Sequence, residues 1–134
     1  TNIQRIRQRK AVEQRGRCFY CGHPTWSCQP HHFAIRHGLT CRQAERFRQT
    51  AEHLKPVSEG GTDDPANIVM ACLYCNTRRH RRRSPIAPSA FKARIEALLR
   101  RGRWHGRQHI FEEAVQGYQQ RRRPGVSKGK QMVG

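Results

Sequence analysis

The two thiol pairs Cys18-x-x-Cys21 and Cys72-x-x-Cys75 constrain this chain more than any other feature of its sequence. Four thiolates in tetrahedral array suit a structural zinc ion, and the two-residue spacing lets both sulfurs of one tight turn face the same ion. Gly22, directly after the first pair, leaves backbone N–H groups free to approach the sulfur and spread its negative charge. The pairs are separated by residues 22–71, a much longer gap than in a compact zinc ribbon, so other structure must fold inside the clasp. Four thiolates leave no open position for water, so this zinc is structural and any chemistry lies elsewhere. Four buried reduced thiols or redox cysteines are the bland alternative, which two matched pairs disfavour.

A chain of 134 residues has room for one domain plus tails, and with 35% hydrophobic residues its apolar core is small enough to need a staple. Lys and Arg number 27 against 9 Asp and Glu, a formal charge of +18 that attracts polyanions and makes nucleic acid the leading partner. The charge is uneven: residues 77–134 carry 16 basic and 3 acidic side chains, and residues 1–76 carry 11 and 6. No apolar run approaches a membrane span, and TNIQRIRQRK has no signal-peptide apolar region. The reading is a soluble, unexported, cytoplasmic protein, nucleoid-associated when bound to DNA, whose cysteines stay reduced.

Along the chain, residues 2–15 read as a basic helix with Asn2 as N-cap and Gly16 as its stop, followed by the knuckle RCFYCG and a His-rich, Pro-broken loop over 23–39. Thr40 with Gln43 three residues on reads as a capping box for a short helix. AEHLKPV and NIVMAC read as strands joined by the turn-rich SEGGTDDP, and CLYCNTRRHRRR as a knuckle running into a basic helix cut off at Ser84-Pro85 and Pro88. Ser89 is placed as the cap of a helix over FKARIEALLRR, with Phe91, Ile95, Leu98 and Leu99 at core-facing spacing and Gly102 as its end. HIFEEAVQGYQQRRR reads as a last helix weakened by Gly117, and PGVSKGKQMVG as a disordered basic tail. The domain boundary falls between residues 102 and 103, with a core over 17–83 and a basic C-terminal segment over 103–134.

The chemistry-bearing residues lie inside and just beyond the clasp: Glu52-His53-Leu54-Lys55-Pro56, Gly60-Gly61, Asn67, Asn76 and His80. A carboxylate beside an imidazole on a strand, opposite a helix that carries Asn76 and His80 on one face, is an arrangement able to hold a divalent ion next to a base. Cys28, His31, His32, His37 and Cys41 fill the insert before Glu52, but their spacing matches no metal-site pattern. A loop with surface histidines and small apolar cysteines is preferred there over a second zinc site. Trp26 and Trp104 read equally as core or as base-stacking groups.

In RCFYCG, AEHLKPVSEGGTDDPANIVMACLYCN and TRRH, residues 17–80 resemble the HNH (ββα-metal) endonuclease family in order and approximate spacing. The resemblance implies an α+β fold, two antiparallel strands and a helix around a catalytic metal, here stapled by zinc and flanked by basic helices. It implies an HNH endonuclease that hydrolyses DNA phosphodiester bonds. It also implies roles for single residues: His53 as the general base, Glu52 and Asn76 as ligands of the catalytic ion, His80 as a second ligand on the helix, and Asn67 holding the loop and orienting the base through a backbone hydrogen bond. Oxygen ligands suit Mg2+ or Mn2+, and the nitrogen of His80 would admit Ni2+ or Zn2+. Arg78, Arg79, Arg81, Arg82 and Arg83 follow on the same helix and are expected to contact phosphates, which positions DNA without reading its sequence. One such centre attacks one strand at a time, so nicking or double-strand cleavage depends on oligomeric state, and a dimer or a partner protein would supply the second cut. The rival readings are a catalytically inactive zinc-stabilised nucleic-acid-binding module and an RNA-directed nuclease.

Overall fold

The computed structural model describes residues 2–105; the expected last helix, the basic tail and most of the C-terminal arm lie outside the described residues. Helix α1 (Asn2–Glu13) packs across a two-stranded antiparallel sheet, β1 (Gln49–His53) and β2 (Ile68–Cys72), with Thr50 opposite Ala71 and Glu52 opposite Val69. Gln14 extends that contact: its side-chain amide accepts from Met70 N at 2.9 Å and donates to Met70 O at 2.8 Å, satisfying backbone groups on the outer edge of β2. Gly16, at φ +73°, turns the chain back toward the knuckle.

The His-rich segment is not a loop throughout. It contains helix α2 (Pro30–His37), with Pro30 in its first turn and Gly38 in the left-handed conformation at its end. Proline at N1 lacks only an N–H that the first turn leaves unpaired anyway, so it starts this helix instead of breaking it. Thr40 and Gln43 form the expected capping box at α3 (Cys41–Glu45). Phe33, Ala34, Leu39, Ala44 and Phe47, from α2, α3, their connection and the turn after α3, make one apolar cluster, and Trp26 packs on it with its indole N–H donated to Ala44 O at 2.7 Å.

Helix α4 (Leu73–Arg79) is shorter than the charge run suggests: His80 caps it and Arg81, Arg82 and Arg83 lie beyond its end. Its last residue is pinned inward, as described below, and the Ser84-Pro85 step follows too closely for another turn. Helix α5 (Pro88–Arg100) begins one residue before Ser89, with Ala87 as its cap and Pro88 at its first position, so Ser89 is not the cap. Phe91 and Ile95 of α5 are buried in a second cluster with Cys18, Tyr20, Cys21, Ala71, Cys72 and Cys75, while Leu98, Leu99 and Trp104 pack against it partly buried. The result is a mixed α+β domain with one small two-stranded sheet and two apolar clusters, one of which includes Ala71 and Cys72 of β2. No helix among the described residues is long and apolar enough to cross a membrane.

Candidate active site and zinc clasp

Cys18, Cys21, Cys72 and Cys75 are all buried, and their sulfurs lie within 4.8 Å of one another. The first knuckle and the β2–α4 junction, more than fifty residues apart in sequence, close on one point because Phe19 N donates to Met70 O at 3.0 Å beside the strand. Backbone N–H groups of Tyr20 and Cys72 reach Cys18 Sγ at 3.3 Å, and Cys75 N reaches Cys72 Sγ at 3.4 Å. Burial pushes the Cys18 thiol up, but hydrogen bonds from Cys21, Cys72 and Cys75 outweigh it and hold the group well below the ordinary thiol range. Burial raises the other three. Four buried sulfurs converging on one point are a donor set that a tetrahedral cation completes, and the four cysteines fit a structural zinc.

Two residues that sequence reasoning did not place here close the clasp from the other side. Trp104 donates its indole N–H to Cys75 Sγ at 3.2 Å, and His105 Nε2 lies 3.4 Å from Cys21 Sγ. His105 is fully buried, with its carbonyl accepting from Arg46 at 2.6 Å and its ring stacked on Phe47, Tyr74 and His23. Burial pushes His23 down to about 4 and His105 well below the usual histidine range, so both rings are neutral near pH 7. Trp104 and His105 therefore pack against the core around the clasp.

A second, open cleft of about 320 Å³ is lined by Ala51, Glu52, His53, Pro56, Val57, Ser58, Asn76 and His80. Glu52, His53, Asn76 and His80 thus come together, the first two at the end of β1 and the others on one side of α4 and its cap. Glu52 is 1% exposed, and His80 Nε2 lies 2.8 Å from its Oε1. Asn76 donates through Nδ2 to Thr50 Oγ1 at 3.0 Å and to Ala51 O at 3.4 Å, which orients its amide against β1. A carboxylate oxygen, an amide oxygen and an imidazole nitrogen around one cleft fit a divalent cation of the magnesium-to-nickel range.

The loop between the strands holds His53 from the other side. Asn67 accepts from Lys55 N at 2.8 Å and donates to Thr62 O at 2.8 Å and Lys55 O at 3.1 Å, so its side chain grips the loop two residues past His53 and makes no bond to His53 itself. A Cβ on Gly61 would collide with the Lys55 carbonyl, which explains the glycine at that close approach. The His53 ring is fixed by a group that no sequence pattern singled out: its Nε2 lies 2.8 Å from Asp63 Oδ1. Asp63 sits in the turn signal of SEGGTDDP, and only its reach back across the loop distinguishes it from a turn residue.

The arginines divide. Arg79 is buried, bonded to Glu52 Oε2 at 2.5 Å and to the carbonyls of Leu54 at 2.9 Å and Ile86 at 3.1 Å, so it faces the core and not a phosphate. Its expected place in the phosphate-contacting set is corrected: a buried carboxylate claimed the guanidinium first. Arg78 stacks on the Tyr74 ring, 3.7 Å from its centroid, and Arg81, Arg82 and Arg83 are exposed directly after His80.

Residues 39–82 match the HNH endonuclease family. The matched stretch holds Glu52, His53, Asn67, Asn76, His80 and the second cysteine pair, while Cys18 and Cys21 lie outside it and are brought to that pair by the fold. No curated protein and no solved structure matches the chain. In the insert, Cys41 Sγ lies 3.3 Å from His31 Nδ1, His32 bonds Gln29, and His37 is buried against Phe33. Among the described residues no three of these insert groups gather as a metal site.

Proposed function

We propose that this chain is a metal-dependent HNH endonuclease that hydrolyses DNA phosphodiester bonds, with His53 as general base. The observation that carries the reading is the meeting, in one open cleft, of the Glu52–His80 pair, Asn76 and a His53 whose ring is already tethered by Asp63. With Nε2–H donated to Asp63, the lone pair of His53 lies on Nδ1. A neutral imidazole can take a proton from water at that atom. Asp63 stabilises the imidazolium that results, and Asn67 keeps the loop closed around it.

Glu52, Asn76 and His80 would hold a divalent cation, which when bound supplies a Lewis acid that neutralises the phosphate and the departing oxygen. Arg81, Arg82 and Arg83 would grip flanking phosphates, with Arg78 held beside them by Tyr74. Cutting both strands would take a second copy or a partner protein. The test is incubation of the protein with supercoiled plasmid, linear duplex, single-stranded DNA and structured RNA, each with Mg2+, Mn2+ or chelator. Metal-dependent nicking of plasmid supports the reading. Cleavage of RNA alone, or tight binding with no cleavage under any metal, would replace it with one of the two rival readings.

His80 decides the preferred ion. If it is a ligand, Mn2+ supports faster cleavage than Mg2+, and His80→Ala loses the Mn2+ and Ni2+ reactions preferentially, whereas Asn76→Ala impairs the reaction with every metal. An unchanged metal preference in His80→Ala would leave it outside the coordination sphere.

A further inference from the structure

The zinc clasp and the catalytic cleft share a residue. Tyr20, the third position of the Cys18–Cys21 knuckle, is 1% exposed, and its hydroxyl donates to Glu52 Oε2 at 2.7 Å. Arg79, from the far end of α4, donates to that same oxygen. The two donors reach it from different elements, one fixed by the zinc knuckle and one by the carbonyls of His53, Leu54 and Ile86. Neither touches Oε1, the oxygen that meets His80.

A carboxylate beside a divalent ion can bind through one oxygen or two, and a free side chain can rotate between them. In this cleft one oxygen is already taken twice. Hydrogen bonds to an ionised group are the strong ones, and two of them on a buried carboxylate fix its plane as well as its charge. A cation approaching from the cleft thus meets Oε1, in place of the hydrogen bond from His80, with no rearrangement of the buried half of the side chain.

We infer that Tyr20 and Arg79 are positioning residues that hold Glu52 by Oε2 and reserve Oε1 for the catalytic cation, so that the first zinc knuckle sets the affinity of the catalytic metal site. The inference rests on the nuclease reading for the identity of that site. It gives Tyr20 a function that the cysteines on either side do not need: zinc requires the sulfurs of the knuckle, whereas the hydroxyl serves a different ion.

The test is Mn2+ binding to the full zinc-loaded chain, followed by electron paramagnetic resonance of the free ion, for wild type, Tyr20→Phe, Arg79→Lys and Glu52→Gln. Tyr20→Phe keeps the ring and removes only the donor; outer-shell partners of this kind typically tune metal affinity by about 10–100-fold. Tyr20→Phe is expected to retain its zinc and its circular dichroism spectrum, to bind Mn2+ at least tenfold more weakly, and to recover its plasmid cleavage rate at saturating Mn2+. A packing role alone would not produce that recovery. Arg79→Lys, which keeps the charge but loses the fork, is expected to weaken Mn2+ in the same direction, and it stands in for Tyr20→Phe if that variant does not fold. Mn2+ affinity within twofold of wild type in a folded Tyr20→Phe or Arg79→Lys, with Glu52→Gln binding none, would overturn the inference and leave the nuclease reading standing. Mn2+ binding unchanged in Glu52→Gln would overturn the metal site itself.

Discussion

His53 Nε2 and Asp63 Oδ1 lie 2.8 Å apart, joined across the loop between β1 and β2. In the proposed mechanism the carboxylate selects one tautomer of the ring and leaves Nδ1 as the basic atom. Asp63 is largely exposed, with 62% of its side-chain surface in solvent, so the interaction is screened and its loss should cost less than loss of the base. Asp63→Ala is expected to lower kcat roughly tenfold, less than the about 10²–10⁴-fold that acid–base groups themselves contribute, without changing KM for DNA. Asp63→Asn, which still accepts a hydrogen bond, should recover part of the rate, and nitrogen chemical shifts of His53 should show the tautomer change in Asp63→Ala. Equal rates for wild type and Asp63→Ala would make this contact incidental.

Arg79 and its neighbours beyond α4 should respond oppositely to substitution. Arg79→Leu leaves the Glu52 carboxylate buried without its cationic partner and is expected to destabilise the fold by about 3–5 kcal/mol, read by urea denaturation. Replacing exposed Arg81, Arg82 and Arg83 by Ala should leave stability within about 0.5 kcal/mol of wild type. That triple variant should bind DNA more weakly, with the slope of log K against log salt shallower by about 0.9 for each phosphate that these side chains neutralise in the wild type. An unchanged slope would remove these arginines from the interface.

Truncation separates the clasp from the arm. Removing residues 103–134 takes away Trp104 and His105, which touch the Cys75 and Cys21 sulfurs, and zinc affinity is expected to fall by about 10–100-fold. Removing only 106–134 should spare zinc while reducing salt-dependent DNA affinity, because Arg107, Arg121, Arg122, Arg123, Lys128 and Lys130 go with that segment. Zinc release measured with a chromophoric chelator distinguishes them; identical release from both truncations would mean that Trp104 and His105 do not secure the ion.

The parts of the site written in local patterns are legible in the sequence. Matched cysteine spacing points to the clasp, the Glu52-His53 pair and the apolar run of β2 point to the two strands, and Thr40 with Gln43 marks a helix start that the capping box reproduces. What escapes depends on side chains meeting across long separations. Tyr20 and Asp63 look like a filler between cysteines and a turn residue until the fold carries them to Glu52 and His53. Arg79 is hidden in a charge run, since composition does not say which arginine of five turns inward. Pro30 and Pro88 look like breaks in the sequence, whereas each opens a helix where a missing N–H is harmless.

If His53 is the base of a metal-dependent nuclease, the most direct measurement is the rate of supercoiled plasmid relaxation by wild type and His53→Ala under saturating Mn2+. Removal of a general base typically costs about 10²–10⁴-fold in rate, and a loss in that range is predicted, with zinc content, circular dichroism and DNA affinity unchanged. Plasmid relaxation by His53→Ala at the wild-type rate would contradict the assignment.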